Sequence, residues 1–141
     1  MEFSYPAIFS HDTDGITVSF ADLPEAWTSG KTMPEAIAQA EDCLETAIGS
    51  RIKEGDEVPM PSPAKRGQQL ITLGPVMAAK ASLYGSMRTS GMTKSELARR
   101  LGVDVKEARR LLDPWHPTKL PRLMQALALF GQRLVVTIKA A

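Results

Sequence analysis

Cysteine is nearly absent from this 141-residue chain: Cys43 stands alone, which excludes an internal disulfide. No histidine or second cysteine lies near it at metal-ligand spacing. The two histidines, His11 and His116, fall in turns far apart, and neither has a partner to orient it as a base. No apolar run approaches the ~20 residues that a membrane span requires. The opening "MEFSYPAIF" has an acid at Glu2 and no basic segment, unlike a secretory signal. These absences predict a cytoplasmic chain with no metal, no cofactor and no membrane partner. The apolar fraction, 43%, is ordinary, so a packed core is expected rather than disorder.

Charge is plentiful but unevenly placed. Residues 1–63 hold three Lys/Arg against twelve Asp/Glu, a balance of −9, and residues 64–141 hold fourteen against four, a balance of +10. The net charge of +1 conceals this division. It predicts two modules with different partners, a polyanion for the basic one and a basic protein for the acidic one.

The acidic half reads as an α+β domain. Phe3 to Phe9 is apolar enough for a strand, with Pro6 expected at an edge or a bulge. "SHDTDG" is a turn, and in "ITVSFADL" Ile16, Val18 and Phe20 alternate with Thr17 and Ser19, which completes a hairpin. Trp27 and Ser29 extend a third strand that ends at Gly30. Thr32 and Glu35 form a capping box, followed by an apolar stripe of Ile37, Ala40, Leu44, Ala47, Ile48 and Ile52, with Gly55 placed to stop the helix. The proline-rich 58–63 is a linker candidate, but "QLITLGP" after it is a fourth strand able to return to the sheet. The domain boundary is therefore set at 75, giving domains 1–75 and 76–141.

The basic half reads as helical, beginning with Met77, Ala81, Tyr84 and Met87 on one face. In "TKSELARRLGVDVKEARRLLDP", Thr93 with Glu96 and Asp104 with Glu107 are two more capping boxes. Leu97, Ala98 and Leu101 face inward, Gly102 suits a tight turn, and Val103 plugs the angle between the helices. Ala108, Leu111 and Leu112 face inward on the second helix, leaving Lys106, Glu107, Arg109 and Arg110 outward. This is the pattern of a helix-turn-helix, whose second helix enters the major groove. Arg109 and Arg110 suit guanine, and Lys106 a base or a phosphate. Thr93 and Lys94, with Arg99, Arg100 and Lys119, are placed for the backbone, while Val105 occupies the first position of the reading helix. Charged helix faces are often merely solvated, and it is the coincidence of caps, glycine, plug and basic face that favours DNA.

Leu123, Leu127 and Phe130 predict a supporting helix, with Pro121 acceptable in its first turn. "RLVVTIK" alternates as a terminal strand with nothing to pair with in a helical domain. Leu134, Val136 and Ile138 are therefore expected to pair with a second subunit, giving the symmetry that a palindromic operator requires, with assembly beyond the dimer left open. Met77, Met87, Met92 and Met124 read as core filling, Cys43 as a small core residue, and Trp115 either packs on the domain or lies near DNA.

"YPAIF", "GITVSFADLPEAWTSGKTMPEAIAQAEDCL", "PMPSP" and "ELARRLGVDVKEARRLLDPWHPTKLPRLMQALALFGQRL" together resemble the HicB antitoxins with a C-terminal helix-turn-helix. The resemblance spans nearly the whole chain. It implies a first domain like a partial ribonuclease H fold without catalysis, bound to a HicA-like toxin, a small basic protein that cleaves mRNA. It implies a second domain that represses the operon. The toxin contacts are placed at strand ends taken as exposed: Tyr5, Asp22 and Trp27.

Two other functions compete with this one. A nuclease would cluster carboxylates for two metal ions, but Asp12 and Asp14 belong to a turn, Asp22 follows a strand, and Glu41, Asp42 and Glu45 lie on the outer side of the helix. No catalytic residue is expected. A stand-alone repressor with a small-molecule sensing domain would need an apolar pocket, for which one helix on a small sheet leaves little room.

Overall fold

In the computed structural model, which describes residues 2–140, β1 (Ser4–Asp12) and β2 (Gly15–Phe20) form the expected hairpin. Its turn is fixed by Asp12, whose Oδ1 accepts the Asp14 N–H at 2.9 Å, and by Gly15 at a φ of 142°. β3 (Leu23–Gly30) pairs with β2, and β4 (Gln68–Thr72) returns to the far side of β1. The sheet is antiparallel, in the order β3-β2-β1-β4.

This order makes β1 an interior strand and corrects the placing of Pro6 at an edge. A strand residue points its N and C=O to the same side, and Pro6 O accepts from Ala21 N at 3.2 Å. The ring nitrogen therefore faces the β2 side, where pairing starts only at Ala7 with Phe20, and no ladder bond is lost.

α1 (Met33–Glu54) lies on this sheet. Thr32 Oγ1 accepts the Glu35 N–H at 3.3 Å, and Glu35 Oε2 reaches back to Lys31 N rather than to the cap residue. Gly55, at a φ of 77°, ends the helix. The buried stripe begins at Ala36, not at Ile37, which is only half-buried. The cause is Gly30: a Cβ there would sit 2.5 Å from Ala36 N, so bare backbone lets β3 approach closely and turns Ala36 into the contact. Tyr5, Val18, Leu23, Leu44 and Ile48 are fully enclosed in this core.

The proline segment has no regular structure but is tied down. Tyr5 Oη donates to Pro59 O at 2.7 Å, and Asp22 accepts from Ser62 N and Oγ at 2.9 and 2.8 Å. Arg51 Nη1 donates to Glu57 O at 2.9 Å. The chain divides into two compact units, Met1–Gly74 and Pro75–Ala141, so this segment lies within the first.

Unit 2 contains α2 (Pro75–Ser90), α3 (Lys94–Leu101), α4 (Val105–Leu112) and α5 (Leu120–Ala128). Ala79, Leu83, Leu111, Leu123, Ala126 and Leu127 form one buried cluster, and Leu97, Ala98 and Ala108 another. Pro121 falls in the first turn of α5, which has no side-chain cap. Met77 is buried and Met87 and Met92 are partly so, whereas Met124 is exposed on the outer side of α5. Residues 132–140 form neither helix nor strand in the single chain, where unit 2 offers no strand among the described residues to pair with. No helix of the structure is long and apolar enough to cross a membrane among the described residues.

Candidate functional site

Local chemistry sets α3 and α4. Thr93 Oγ1 accepts the Glu96 N–H at 3.1 Å, and Asp104 Oδ1 accepts the Glu107 N–H at 2.8 Å. Each satisfies one of the donors that a helix start leaves open. Gly102, at a φ of 69°, closes α3, and Val103 N donates back to Ala98 O at 3.0 Å. Val103 then packs against Leu97, Ala98 and Ala108, filling the angle between the helices.

The outward face follows. Lys106, Arg109 and Arg110 occupy positions i, i+3 and i+4 of α4 and are exposed. Arg110 pairs with Glu107 at 3.3 Å, and Glu96 pairs with Arg99 at 3.4 Å and Arg100 at 3.1 Å. Exposed pairs of this kind contribute little, on the order of 0–1 kcal/mol, and leave the arginines available. Thr93, Lys94 and Lys119 are exposed as well. Val105 is not a free reader: it is half-buried against the Leu97 cluster, and Glu107 is half-buried too.

Sequence reasoning passed over Lys80. It is 1% exposed, in the middle of α2. Its Nζ donates to Arg110 O at 3.1 Å, Asp113 O at 2.5 Å, His116 O at 2.8 Å and Thr118 Oγ1 at 2.9 Å. Burial pulls its pKa down from 10.5 to about 8, and the carboxylate of Asp113 opposes that. Trp115, in the loop so held, is about half exposed, and its main-chain N–H donates to Asp113 Oδ1 at 3.0 Å.

In unit 1 the three expected contact residues separate. Tyr5 is fully buried, contrary to its placing at an exposed strand end, because the pleat of β1 puts its ring on the covered face of the sheet, opposite the buried Ile71 of β4, with Oη on Pro59 O. Burial, and then the charge of Asp22 against the influence of Arg51, push its phenol up to about 12. Asp22 is half-buried and serves the Ser62 turn. Trp27 alone stands out, 67% exposed on the edge strand β3.

Beside Trp27, β3 and α1 border a groove of about 770 Å³ whose walls include Glu25, Asp42, Glu54 and Asp56. Its arginine, Arg51, is held bidentately by Glu25 at 2.6 and 2.9 Å, which lowers the Glu25 pKa and raises that of Arg51. Cys43 lines the groove half-buried, rather than lying in the core, and burial raises its thiol pKa. Among the described residues, no three His, Cys, Asp or Glu side chains converge to hold a metal ion.

On the C-terminal segment, Leu134 packs partly against the unit 2 core, so it does not project with Val136 and Ile138. Those two are 60% and 94% exposed, and Val135 is 69% exposed.

A family profile described as "HicB_like antitoxin of bacterial toxin-antitoxin system" matches residues 4–82. The chain is 37% identical over 130 residues, 92% of each chain, to "Antitoxin HicB 2" of Photorhabdus laumondii subsp. laumondii. It is 31% identical over 140 residues to "Antitoxin HicB" of Pseudomonas fluorescens, covering 99% of this chain and 96% of that one. Against "Antitoxin HicB" of Escherichia coli K12 the identity is 36% over 120 residues, 85% of this chain and 87% of the relative. The similarity runs through both units, and the chain belongs to the HicB-like antitoxin family.

Proposed function

We propose that this protein neutralises a small, basic, mRNA-cleaving toxin of the HicA type through unit 1 and represses its own operon through unit 2. It does so as a binding protein, without catalysis, in the cytoplasm. The observation that carries the reading is that the two compact units have opposite charge: Met1–Gly74 carries five Lys/Arg against twelve Asp/Glu, and Pro75–Ala141 twelve against four. Charge complementarity suits the first to a basic protein and the second to DNA.

In unit 2, α3 and α4 act as a helix-turn-helix, with Lys106, Arg109 and Arg110 toward base edges. Lys94, Arg99, Arg100 and Lys119, with the Thr93 helix start, meet phosphates. Val136 and Ile138, the two members of the expected set that project, supply the surface on which a second copy pairs, placing two α4 helices about one helical turn of DNA apart at a palindromic operator. In unit 1, the groove beside Trp27 receives the toxin. Its carboxylate walls suit a basic protein surface better than a small apolar ligand, which disfavours a sensing domain.

The test is a pulldown of the tagged full-length protein from its host, with mass spectrometry of small co-purifying proteins, alongside binding to DNA from upstream of its gene. A stoichiometric basic partner and retention of that DNA over random DNA are expected. Recovery of DNA with no small protein would sink the antitoxin half of the reading.

A further inference from the structure

Lysine is among the residues least often enclosed, and taking an ammonium out of water costs several kcal/mol unless its protons are all received. At position 80 the surroundings receive them fully. Three main-chain carbonyls and one hydroxyl, from Arg110, Asp113, His116 and Thr118, lie within hydrogen-bond reach of one nitrogen. An apolar side chain beside Ala79 and Leu83 would avoid that cost, so the position calls for a reason beyond packing.

The acceptors supply it. Arg110 O and Asp113 O belong to the C-terminal end of α4, where each accepts one longer main-chain bond, from Asp113 N at 3.3 Å and His116 N at 3.2 Å, and where a cation is favoured by the helix dipole. α4 has eight residues, too few to hold its shape or direction alone. After it comes a loop with Pro114 and Pro117 and no regular structure, so His116 O and Thr118 Oγ1 fix a stretch that no ladder holds. Any tilt or slide of α4 on α2 must break these bonds together, because they converge on one atom. The same eight-residue helix carries Lys106, Arg109 and Arg110, and the loop carries the exposed Trp115.

We propose that Lys80 is a positioning residue: its ammonium gathers the end of α4 and the 113–118 loop and so fixes the direction in which Arg109 and Arg110 face outward. Its consequence for DNA rests on the reading of α4 as the DNA-facing helix. Its consequence for the chain does not.

The experiment follows hydrogen–deuterium exchange in the full-length protein, with the operon's upstream DNA and random DNA as binding probes. Lys80→Met keeps a long unbranched side chain and removes the donors. Its exchange over residues 110–118 should rise about tenfold while α3 and the unit 1 sheet stay as in the wild type. Its preference for upstream over random DNA should collapse. Lys80→Cys in a Cys43→Ala background should behave alike, and treating the unfolded chain with bromoethylamine before refolding, which restores an ammonium at nearly lysine length, should restore both properties. Wild-type exchange over 110–118, a rise shared equally by all of unit 2, or no recovery on aminoethylation would overturn the proposal. If Lys80→Met does not fold, Thr118→Val removes one acceptor, along with the hydroxyl's own longer bonds to Arg110 O and His116 O at 3.5 and 3.4 Å, and should still raise exchange in that segment about threefold; no change there overturns the proposal. If the wild type prefers no upstream DNA, the exchange results decide the role of Lys80, and only the DNA reading of α4 falls.

Discussion

Unit 1 and unit 2 each contain an irregular, proline-bearing segment, and the fully buried polar side chain that helps to fasten it differs in kind between them. In unit 1, Tyr5 gives a single neutral hydrogen bond to Pro59 O, with Asp22 holding Ser62 from the side. In unit 2, Lys80 shares the three protons of its ammonium among four oxygens in charge-assisted contacts. The difference follows from what surrounds them. A four-stranded sheet backed by a 22-residue helix has its direction set by ladders, and the proline segment only needs to be laid along it. Helices of eight and nine residues have no ladder, and a strong focal contact takes its place. Charge differs in parallel, with balances of −7 in Met1–Gly74 and +8 in Pro75–Ala141.

If the two units serve separate partners, lesions should separate as well. The largest effect is expected for Trp27→Ala, since an exposed tryptophan at an interface commonly accounts for ~2–4 kcal/mol of binding. Toxin capture should fall by that amount in a titration calorimetry experiment, with DNA binding unchanged. Equal toxin affinity in the variant would move the toxin face away from β3. Next is Gly30→Ala, whose Cβ meets the backbone of Ala36 at 2.5 Å. Overpacking of this kind costs about 1–3 kcal/mol. Differential scanning calorimetry should show the loss in unit 1, with retention of upstream DNA preserved. Loss of DNA binding in step with toxin binding would show that the units do not act separately.

Arg109→Ala sharpens the comparison from the other side. A base-reading arginine is worth about 1–3 kcal/mol of discrimination, so affinity for upstream DNA should drop while random DNA is held nearly as before. Arg99→Ala, on the preceding helix, should weaken both and flatten the salt dependence. Equal losses on both DNAs for Arg109→Ala would remove it from the base-reading set, and toxin capture should respond to neither change.

What could be read in the sequence was what local chemistry decides. Thr32, Thr93 and Asp104 start helices, Gly55 and Gly102 end them, and the alternation of Ile16, Val18 and Phe20 shows which face of β2 is buried. Features set by distant partners were not readable. Tyr5 is buried among partners far along the chain, with Ile71 of β4 beside it and Pro59 O at the end of its ring. Lys80 finds its acceptors 30 to 38 residues away, and nothing in "MAAKASL" distinguishes it from a solvated lysine. The shift of the buried stripe from Ile37 to Ala36 depends on the missing Cβ of Gly30. At the α4 face, spacing shows that Lys106, Arg109 and Arg110 share a side, but the packing of Val105 against the Leu97 cluster is a tertiary fact.

The smallest effect concerns Tyr5 and tests whether the neutral anchor is as modest as its single bond implies. Tyr5→Phe keeps the ring in the core and removes only the donor to Pro59 O. At neutral pH the loss should be about 0.5–1.5 kcal/mol in urea unfolding, the usual net worth of such a bond. The pH dependence is more telling. The folded phenol has its pKa raised to about 12 from the ordinary 10, so between those values the folded chain holds a proton that the unfolded chain has released. The contribution of Tyr5 is then whole below pH 10 and is lost as pH rises toward 12, and the wild type should lose stability in that window faster than Tyr5→Phe. Measuring the difference between the two proteins cancels the titration of every group they share. Parallel curves from pH 9 to 12 would mean that the phenol is not held where the structure puts it, and that the proline segment is fastened by Asp22 and Arg51 alone.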